Sequence, residues 1–314
     1  MTVNPILAFS GRRRMRTART AILITIYGLA VLGFGLLISF GTFLRPNVTL
    51  YDMVSGQTGY VGMMVFQFGL LLLVTPAMTA ASISGERERQ TLDLLLVTNT
   101  GSLRIALGKL LESLGLMLLL IFATLPAMCL VLLTGCMTLP QVLQGLLFLG
   151  ICAFAMLSVG MLCSALFRRT VAATVVSYLA VFAIGLITLV PLVVDVSRIR
   201  AAYDMLYSNS YYSGPVGVIG GADAPGSVRL ISFVLNPALG LACLLASQTG
   251  LLRESFSSYS YTLYEMYDYL DFAGMAWLSM AFMASAGAVL NLLAALFVRP
   301  RGVRVRGERK GSRR

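Results

Sequence analysis

The chain has 314 residues, of which 58% are hydrophobic and only 12% are charged. Because a soluble domain usually carries about 25% charged residues, this composition excludes an ordinary soluble protein and indicates a membrane protein. The formal net charge is +11, but the distribution of basic residues across a membrane matters more than their sum. We therefore expect the lipid bilayer, and no nucleic acid, as a partner.

The residue types give no support for a metal or disulfide site. The sequence contains no histidine, which excludes an ordinary histidine-rich metal or proton-relay site. Its five cysteines include no C-x-x-C pair, and four of them lie in apolar runs. We interpret them as small buried hydrophobic residues, and we expect the chain to bind no metal and no cofactor itself.

Six apolar segments have the roughly 20 residues that a helix needs to cross the hydrocarbon of a bilayer. They should all be helices, because lipid offers no partners for backbone N–H and C=O groups. The first is too long for the roughly 7–15 apolar residues of a cleaved signal peptide, so we interpret it as a retained span. The predicted spans are 21–43, 60–82, 110–134, 141–167, 170–194 and 272–298.

The basic residues predict the orientation of these spans. With both termini in the cytosol, 19 Lys and Arg residues lie inside and five outside, as the positive-inside rule requires. A seventh span at 228–252 would place the tail from Arg299, with its eight basic residues, outside. The prediction is an all-α polytopic protein, a single transmembrane domain over 1–314, with a cytosolic loop at 83–109 and an outer region at 195–271.

The apolar run at 228–252 must then enter and leave the membrane on the outer side or lie along its surface. Asn236 and Pro237 predict a break in its middle, since proline removes a helix hydrogen bond and disfavours helix in the residue before it. A re-entrant helical hairpin and a surface helix both fit this pattern. The tyrosine-rich stretch 259–269 that follows is typical of a membrane interface, and a rim that contacts substrate is the alternative.

The cytosolic stretch SGERERQTLDLLLVTNTGS, residues 84–102, combines a charged first half with leucines. From Glu86 onward it predicts a short amphipathic helix, in which Arg89 and Asp93 are spaced to form an ion pair. One face of this helix, at i, i+3 and i+4 spacing, contains Leu92, Leu95 and Leu96. Such a helix can lie on the membrane or bind a groove of a cytosolic partner.

No nucleotide-binding or catalytic motif accompanies it. The nearest approach to the P-loop pattern G-x-x-x-x-G-K-[ST] runs from Gly101 to Lys109, but six residues separate its glycines and Leu110 replaces Ser or Thr. There is also no Ser-His-Asp or Cys-His set. We therefore predict that the chain is not an enzyme and has no catalytic residues.

The 84–111 stretch resembles the first cytosolic loop of ABC transporter permeases of the type-2 export class. That loop has a Glu-x-Glu element, then Thr-Leu-(Asp/Glu)-x-Leu-Leu, then a Gly-Lys that opens the next span. The matching residues are Glu86, Glu88, Thr91, Leu92, Asp93, Leu95, Leu96, Gly108 and Lys109. The family often has glycine where this chain has Gln90, and Thr-Pro-x-Ser where it has the sequence TNTGS at 98–102.

The resemblance implies that the loop is a coupling helix, which docks on a separate ATP-binding subunit that holds the ATP and Mg²⁺. It also implies a second permease subunit, identical or similar, and a multi-pass protein of the plasma membrane, in a prokaryote. The residues that it assigns to coupling are Glu86, Arg87, Glu88, Arg89, Thr91, Leu92, Asp93 and Leu95. The expected function is ATP-driven export; an ATP-independent carrier or channel, and a non-transporting scaffold or sensor, are the alternatives.

Overall fold

A computed structural model describes residues 18–43, 50–90, 102–133, 135–191, 231–250 and 271–298. Within these ranges six helical stretches are long and apolar enough to cross a membrane, which confirms the all-α fold with six spans. The helices, in chain order, are α1 (Ala18–Phe43), α2 (Leu50–Thr79), α3 (Ala81–Glu88), α4 (Ser102–Ala123), α5 (Leu125–Leu133), α6 (Leu139–Leu166), α7 (Thr170–Ile187), α8 (Ile231–Leu235), α9 (Pro237–Thr249) and α10 (Phe272–Val298).

The spans are formed by α1, by α2 continued into α3, by α4 with α5, and by α6, α7 and α10. Several helices extend past the predicted apolar limits: α2 begins at Leu50 rather than at 60, and α4 begins at Ser102 rather than at 110. Hydropathy falls at the first polar residues, whereas the helical hydrogen-bond ladder continues beyond the hydrocarbon.

Helix α6 is the centre of the bundle. Of its 28 residues, 17 are buried, and it packs against α10, α2, α7 and α4. Small residues on α6 allow this close approach: a Cβ added to Gly160 would collide with the side chain of Thr79 on α2. Association of helices in lipid depends on such close packing, because burying apolar surface from lipid brings no hydrophobic gain.

The N-terminal end of α6, which we call the outer end after the orientation that the basic residues predict, has a strong start signal. The backbone N–H of Thr138 donates to Oε1 of Gln141 over 2.8 Å, and Pro140 lies in the first turn. These residues satisfy or remove donors that the first turn of a helix leaves without partners. The fourth span therefore begins at a defined residue.

Helix α7 is much shorter than α6. Its 18 residues span about 27 Å, against about 42 Å for the 28 residues of α6. The two helices meet at the inner end of the bundle, where only Phe167, Arg168 and Arg169 separate them. Helix α7 therefore ends about 15 Å below the outer end of α6.

The short helices α8 and α9 meet at Asn236, the residue at which the sequence predicts a break. Oδ1 of Asn236 accepts hydrogen bonds from the N–H groups of Ala238 and Leu239, over 2.8 and 3.4 Å, and Pro237 is the first residue of α9. At the other end Gly250 has a φ of 65°, the left-handed conformation that glycine adopts without strain. Both limits of α9 thus follow from local sequence.

The contacts of α9 set its level in the bundle. Its Gly240 lies against Ser279 of α10 and Phe148 of α6, whereas Gln248 lies beside Gln141, close to the outer end of α6. Helix α9 therefore runs outward alongside the outer third of α6, above the short α7. Of the two predicted arrangements, this placement favours the re-entrant hairpin.

Candidate functional site

Helix α3 carries the charged residues predicted for coupling, at the inner end of the second span. It begins at Ala81, before the predicted start at Glu86, and ends at Glu88, so the single helix predicted to run from Glu86 past Asp93 is interrupted here. Arg89 ends it, and the next residue, Gln90, has a φ of 58°. A side chain with a Cβ is strained in this left-handed conformation, which explains why glycine is frequent at this position in the resembling family.

The first contact of α3 is with α6. Oγ of Ser164 accepts from the backbone N–H groups of Ile83 and Ser84, over 2.9 and 3.0 Å. Ser164 and Ser84 are both fully buried. Because a buried N–H group without an acceptor is costly, this single hydroxyl fixes α3 against the inner end of α6.

Arg87 extends from α3 to the ends of two spans. Its Nη1 donates to the carbonyl oxygen of Ala165 in α6 over 2.7 Å, and its Nη2 donates to that of Phe297 in α10 over 3.2 Å. Carbonyl groups in the last turn of a helix have no partner within the helix and carry partial negative charge. The guanidinium group therefore complements the inner ends of α6 and α10 together.

Glu88 contacts the opposite kind of helix end, the N-terminus of α7. Its Oε2 accepts from the hydroxyl of Thr170 over 2.8 Å and from the Thr170 N–H over 3.2 Å. Helix N-termini attract carboxylates through their unpaired N–H groups and partial positive charge. Glu88 thus supplies the capping group that the N-cap residue of α7, Arg169, lacks.

Glu86 joins α3 to the third span. Its Oε1 lies 2.5 Å from Nζ of Lys109 in α4, and both side chains are largely shielded from solvent. We call α3 and its four contacts, with α4, α6, α7 and α10, the inner hub. The contacts are made by Ser164, Arg87, Glu88 and the Glu86–Lys109 pair.

A cavity of about 590 Å³ opens beside the inner hub, between the end of the second span, α4 and α7. Three carboxylates and two basic side chains face it, so it is polar and close to neutral. Its lining residues are Met78, Ala81, Ser82, Gly85, Glu86, Glu88, Arg89, Lys109, Glu112, Ser113 and Thr170. The mixture of charges is typical of a surface that contacts water or a protein partner rather than lipid.

The family to which this arrangement belongs is shown by a sequence profile. The profile described as ABC-2 family transporter protein matches residues 46–296, most of the chain and all of the inner hub except the end of α10. The chain belongs to the ABC-2 transporter family. Among curated proteins no sequence matches it.

Family membership makes the chain the membrane-spanning permease of an ABC transporter, a transport subunit that is not itself catalytic. The ABC-2 family also implies association with an ATP-binding ABC subunit. The motif that the sequence singled out, from Glu86 to Lys109, lies within the matched residues.

The structure describes only part of the predicted coupling set of this ABC-2 permease. Glu86, Arg87 and Glu88 lie in the inner hub and Arg89 is exposed. The leucine face and its neighbours, including Thr91, Leu92, Asp93 and Leu95, lie outside the described residues, so their role stays a prediction. Asn236 and Pro237, predicted as the break, belong to a separate outer site.

Sequence reasoning missed the partners of these charged residues. Ser164 was visible only as part of a span rich in small residues and serine, and the carbonyl groups of Ala165 and Phe297 have no sequence signal at all. The N-terminus of α7 was the exception, since the Arg168–Arg169 pair marks a turn before it.

Proposed function

We propose that this permease is the membrane subunit of an ATP-driven exporter, and that a separate ATP-binding subunit docks on the segment that follows α3. The observation that carries the proposal is the inner hub. Helix α3 makes polar contacts with the inner ends of α4, α6, α7 and α10. A displacement of the segment after α3 therefore reaches four other helices directly.

In this proposal the partner subunit binds ATP and Mg²⁺, and its closure moves the 84–98 segment. The Ser164 contact is buried, but the contacts of Glu88 with Thr170 and of Arg87 with Phe297 are exposed at the membrane boundary, where water is available as a substitute partner. Such contacts break and re-form at low cost compared with buried polar groups in lipid. Alternating access then follows from tilting of the spans that the hub holds.

A second permease, identical or similar, faces this one across the transport path. The outward faces of α1 and α7 support this part of the proposal, because they are apolar and unpacked within the chain. In α7 these exposed side chains include Val171, Val175, Leu179 and Phe182. Lipid covers the rest of this surface, and the distribution of basic residues fits the plasma membrane of a prokaryotic cell.

The proposed cargo is amphipathic or hydrophobic rather than a small ion. All polar side chains that are fully buried in the described part of the chain are uncharged; they include Gln67, Thr124 and Asn291. Intramembrane charged residues usually mark the paths of ions and protons. The described part of the spans offers hydrogen bonds instead, such as that from Gln67 Nε2 to the Thr124 hydroxyl over 2.9 Å.

The test is to purify the tagged chain from its native membrane in mild detergent and to identify its companions by mass spectrometry. We expect a P-loop ATPase in stoichiometric amount. The double variant Leu92→Ala, Leu95→Ala should recover about tenfold less of it, which corresponds to about 1.4 kcal/mol of binding free energy. The matched control is Leu133→Ala, which removes an exposed leucine at the other end of the bundle, and it should recover as much ATPase as the natural chain.

Absence of an ATPase across several detergents, with the chain still folded, would overturn the proposal. An ATP-independent carrier or channel would then be indicated by transport in liposomes that contain this chain alone. A scaffold or sensor would be indicated by a captured partner without transport.

A further inference from the structure

Helix α7 is held in the bundle in an unusual way. Only two of its 18 residues, Ala173 and Ser177, are buried, in contrast to 17 of 28 in the neighbouring α6. Its outward side chains lie against the surroundings of the protein. Within this chain, few buried apolar contacts therefore hold α7 against the other spans.

Polar contacts tie α7 at both ends instead. At the inner end Glu88 of α3 accepts two hydrogen bonds from Thr170. A Cβ added to Gly85 would lie 3.4 Å from the Thr170 side chain, so α3 passes directly beside the first residue of α7. Movement of α3 is thus transmitted to α7 through a contact at its first turn.

At the outer end the tie is made by Asn236. Its Nδ2 donates to the carbonyl oxygen of Gly185, in the last turn of α7, over 3.0 Å. The same side chain caps the start of α9 through Oδ1. With 2% of its surface exposed, the Asn236 side chain joins the end of α7 to the start of α9.

The far end of α9 is anchored to other spans. Nε2 of Gln248 donates to the carbonyl oxygen of Gln141 over 3.0 Å and to Oε1 of Gln144 over 3.2 Å. The hydroxyl of Tyr60 on α2 donates to Oε1 of Gln248 over 3.1 Å. When α7 displaces Asn236, the Gln248 end of α9 stays in place. We therefore expect α9 to tilt about that end rather than to move as a whole.

A third tie lies near the middle of α7. The Tyr178 hydroxyl donates to the carbonyl oxygen of Leu73 in α2 over 2.9 Å. Tyr178 is eight residues after Thr170 and seven before Gly185, which places it about 12 and 10 Å from the two end contacts. A helix held at its centre and linked at both ends has the geometry of a lever.

We propose that α7 is a lever that links the inner hub to the α8–α9 hairpin, with Glu88 and Asn236 as its positioning residues. The proposal rests on the proposed function, because the ATP-binding subunit supplies the displacement of α3. Closure of that subunit moves the first turn of α7 through Glu88, and the last turn moves the hairpin through Asn236. The hairpin thereby responds, on the outer side, to nucleotide bound in the cytosol.

The test is hydrogen–deuterium exchange, followed by mass spectrometry, on the complex of permease and ATPase with and without ATP and Mg²⁺. Two peptide regions are compared, 84–98 near the docking segment and 231–250 in the hairpin. In the natural protein we expect ATP to change exchange in both. In Glu88→Ala and Asn236→Ser we expect the change at 84–98 to remain and the change at 231–250 to be lost.

The variants separate the lever from simple loss of structure. Serine at 236 retains the ability to cap α9, but its hydroxyl is one bond shorter than the amide that donates to Gly185. Glu88→Gln, which still accepts from Thr170, should restore the hairpin response. Leu133→Ala, which changes an exposed leucine outside α7 and the hairpin, should behave like the natural protein. These controls keep the number of buried apolar contacts nearly constant.

Two results would overturn the lever. One is that ATP leaves hydrogen exchange in 231–250 unchanged in the natural complex although it changes exchange in 84–98. The other is a hairpin that responds equally in Glu88→Ala and Asn236→Ser. If 84–98 itself shows no response to ATP in the natural complex, the proposed function fails, and the lever fails with it.

Discussion

Single side chains at the inner end of the bundle satisfy backbone groups of other helices. Ser164 accepts from two N–H groups of α3, Arg87 donates to the last carbonyl groups of α6 and α10, and Glu88 accepts from the first N–H group of α7. The sign of each charge matches the helix end that it faces. In the Glu-Arg-Glu run, Arg87 and Glu88 face helix ends, whereas Glu86 pairs with Lys109.

Gln90 is the residue at which we expect a substitution to stabilise the protein. Its φ of 58° strains any side chain with a Cβ, so Gln90→Gly should raise the free energy of unfolding by about 0.5–1 kcal/mol, after the entropy that glycine adds to the unfolded chain. Thermal unfolding in a fixed detergent measures this. Gln90→Ala is the control; a rise of the same size in that variant would show that backbone strain is not the cause.

The sequence identified Glu86, Arg87 and Glu88 as special, because charges are rare in this chain and these lie next to a span. It did not reveal their contacts. Arg87 bonds to residues 78 and 210 positions away, and a backbone carbonyl group looks the same in every sequence. Only the packing of the spans brings such groups together, and a single sequence does not encode that packing in a local pattern.

At the level of helices, close packing of α6 against α10 depends on Gly287. A Cβ at this position would lie 3.2 Å from Cα of Ala155 and closer still to the ring of Phe154. The Ala155 atom belongs to the backbone and does not rotate away. The two central helices are therefore as near as their main chains allow.

We expect Gly287→Ala to destabilise the protein by about 1–3 kcal/mol, the usual cost of overpacking. Gly69→Ala is the matched control, since Gly69 lies inside α2 and has nothing within 4 Å of an added Cβ. That control should be neutral or more stable by up to about 1 kcal/mol, because alanine favours helix. Chemical or thermal unfolding of both variants in one detergent measures this difference. Equal losses of stability in Gly287→Ala and Gly69→Ala would contradict the close approach of α6 and α10.

The spans themselves were predictable because their signal is local. About 20 consecutive apolar residues form a helix that is long enough to cross the bilayer, whichever helices it packs against. Asn236 with Pro237 is also a local signal, because this pair predicts a helix start. Helix limits outside the hydrocarbon were not predictable from hydropathy, and α3 is the example. Its residues are polar, yet contacts with four other helices hold them helical.

For the whole molecule, the distribution of basic residues predicts that the connection between α5 and α6 lies outside the cell. Cys136 lies in that connection and is partly exposed. A membrane-impermeant maleimide added to intact cells should therefore label the natural chain and not Cys136→Ser. Labelling of Cys136 only after the cells are permeabilised would reverse the orientation that we assign.

The contacts of the inner hub and of α7 form in a fixed order during synthesis, because their partners lie far apart in the sequence. Arg87 and its acceptor Phe297 are 210 residues apart, and Gly185 precedes Asn236 by 51. Translation proceeds at roughly 5–20 residues per second. The Phe297 acceptor is therefore synthesised about 10–40 s after Arg87, and Asn236 is synthesised about 3–10 s after Gly185. During that interval the early helices remain in the bilayer with a charged helix end still unmatched, so insertion factors and quality-control proteases meet the permease at its least complete stage.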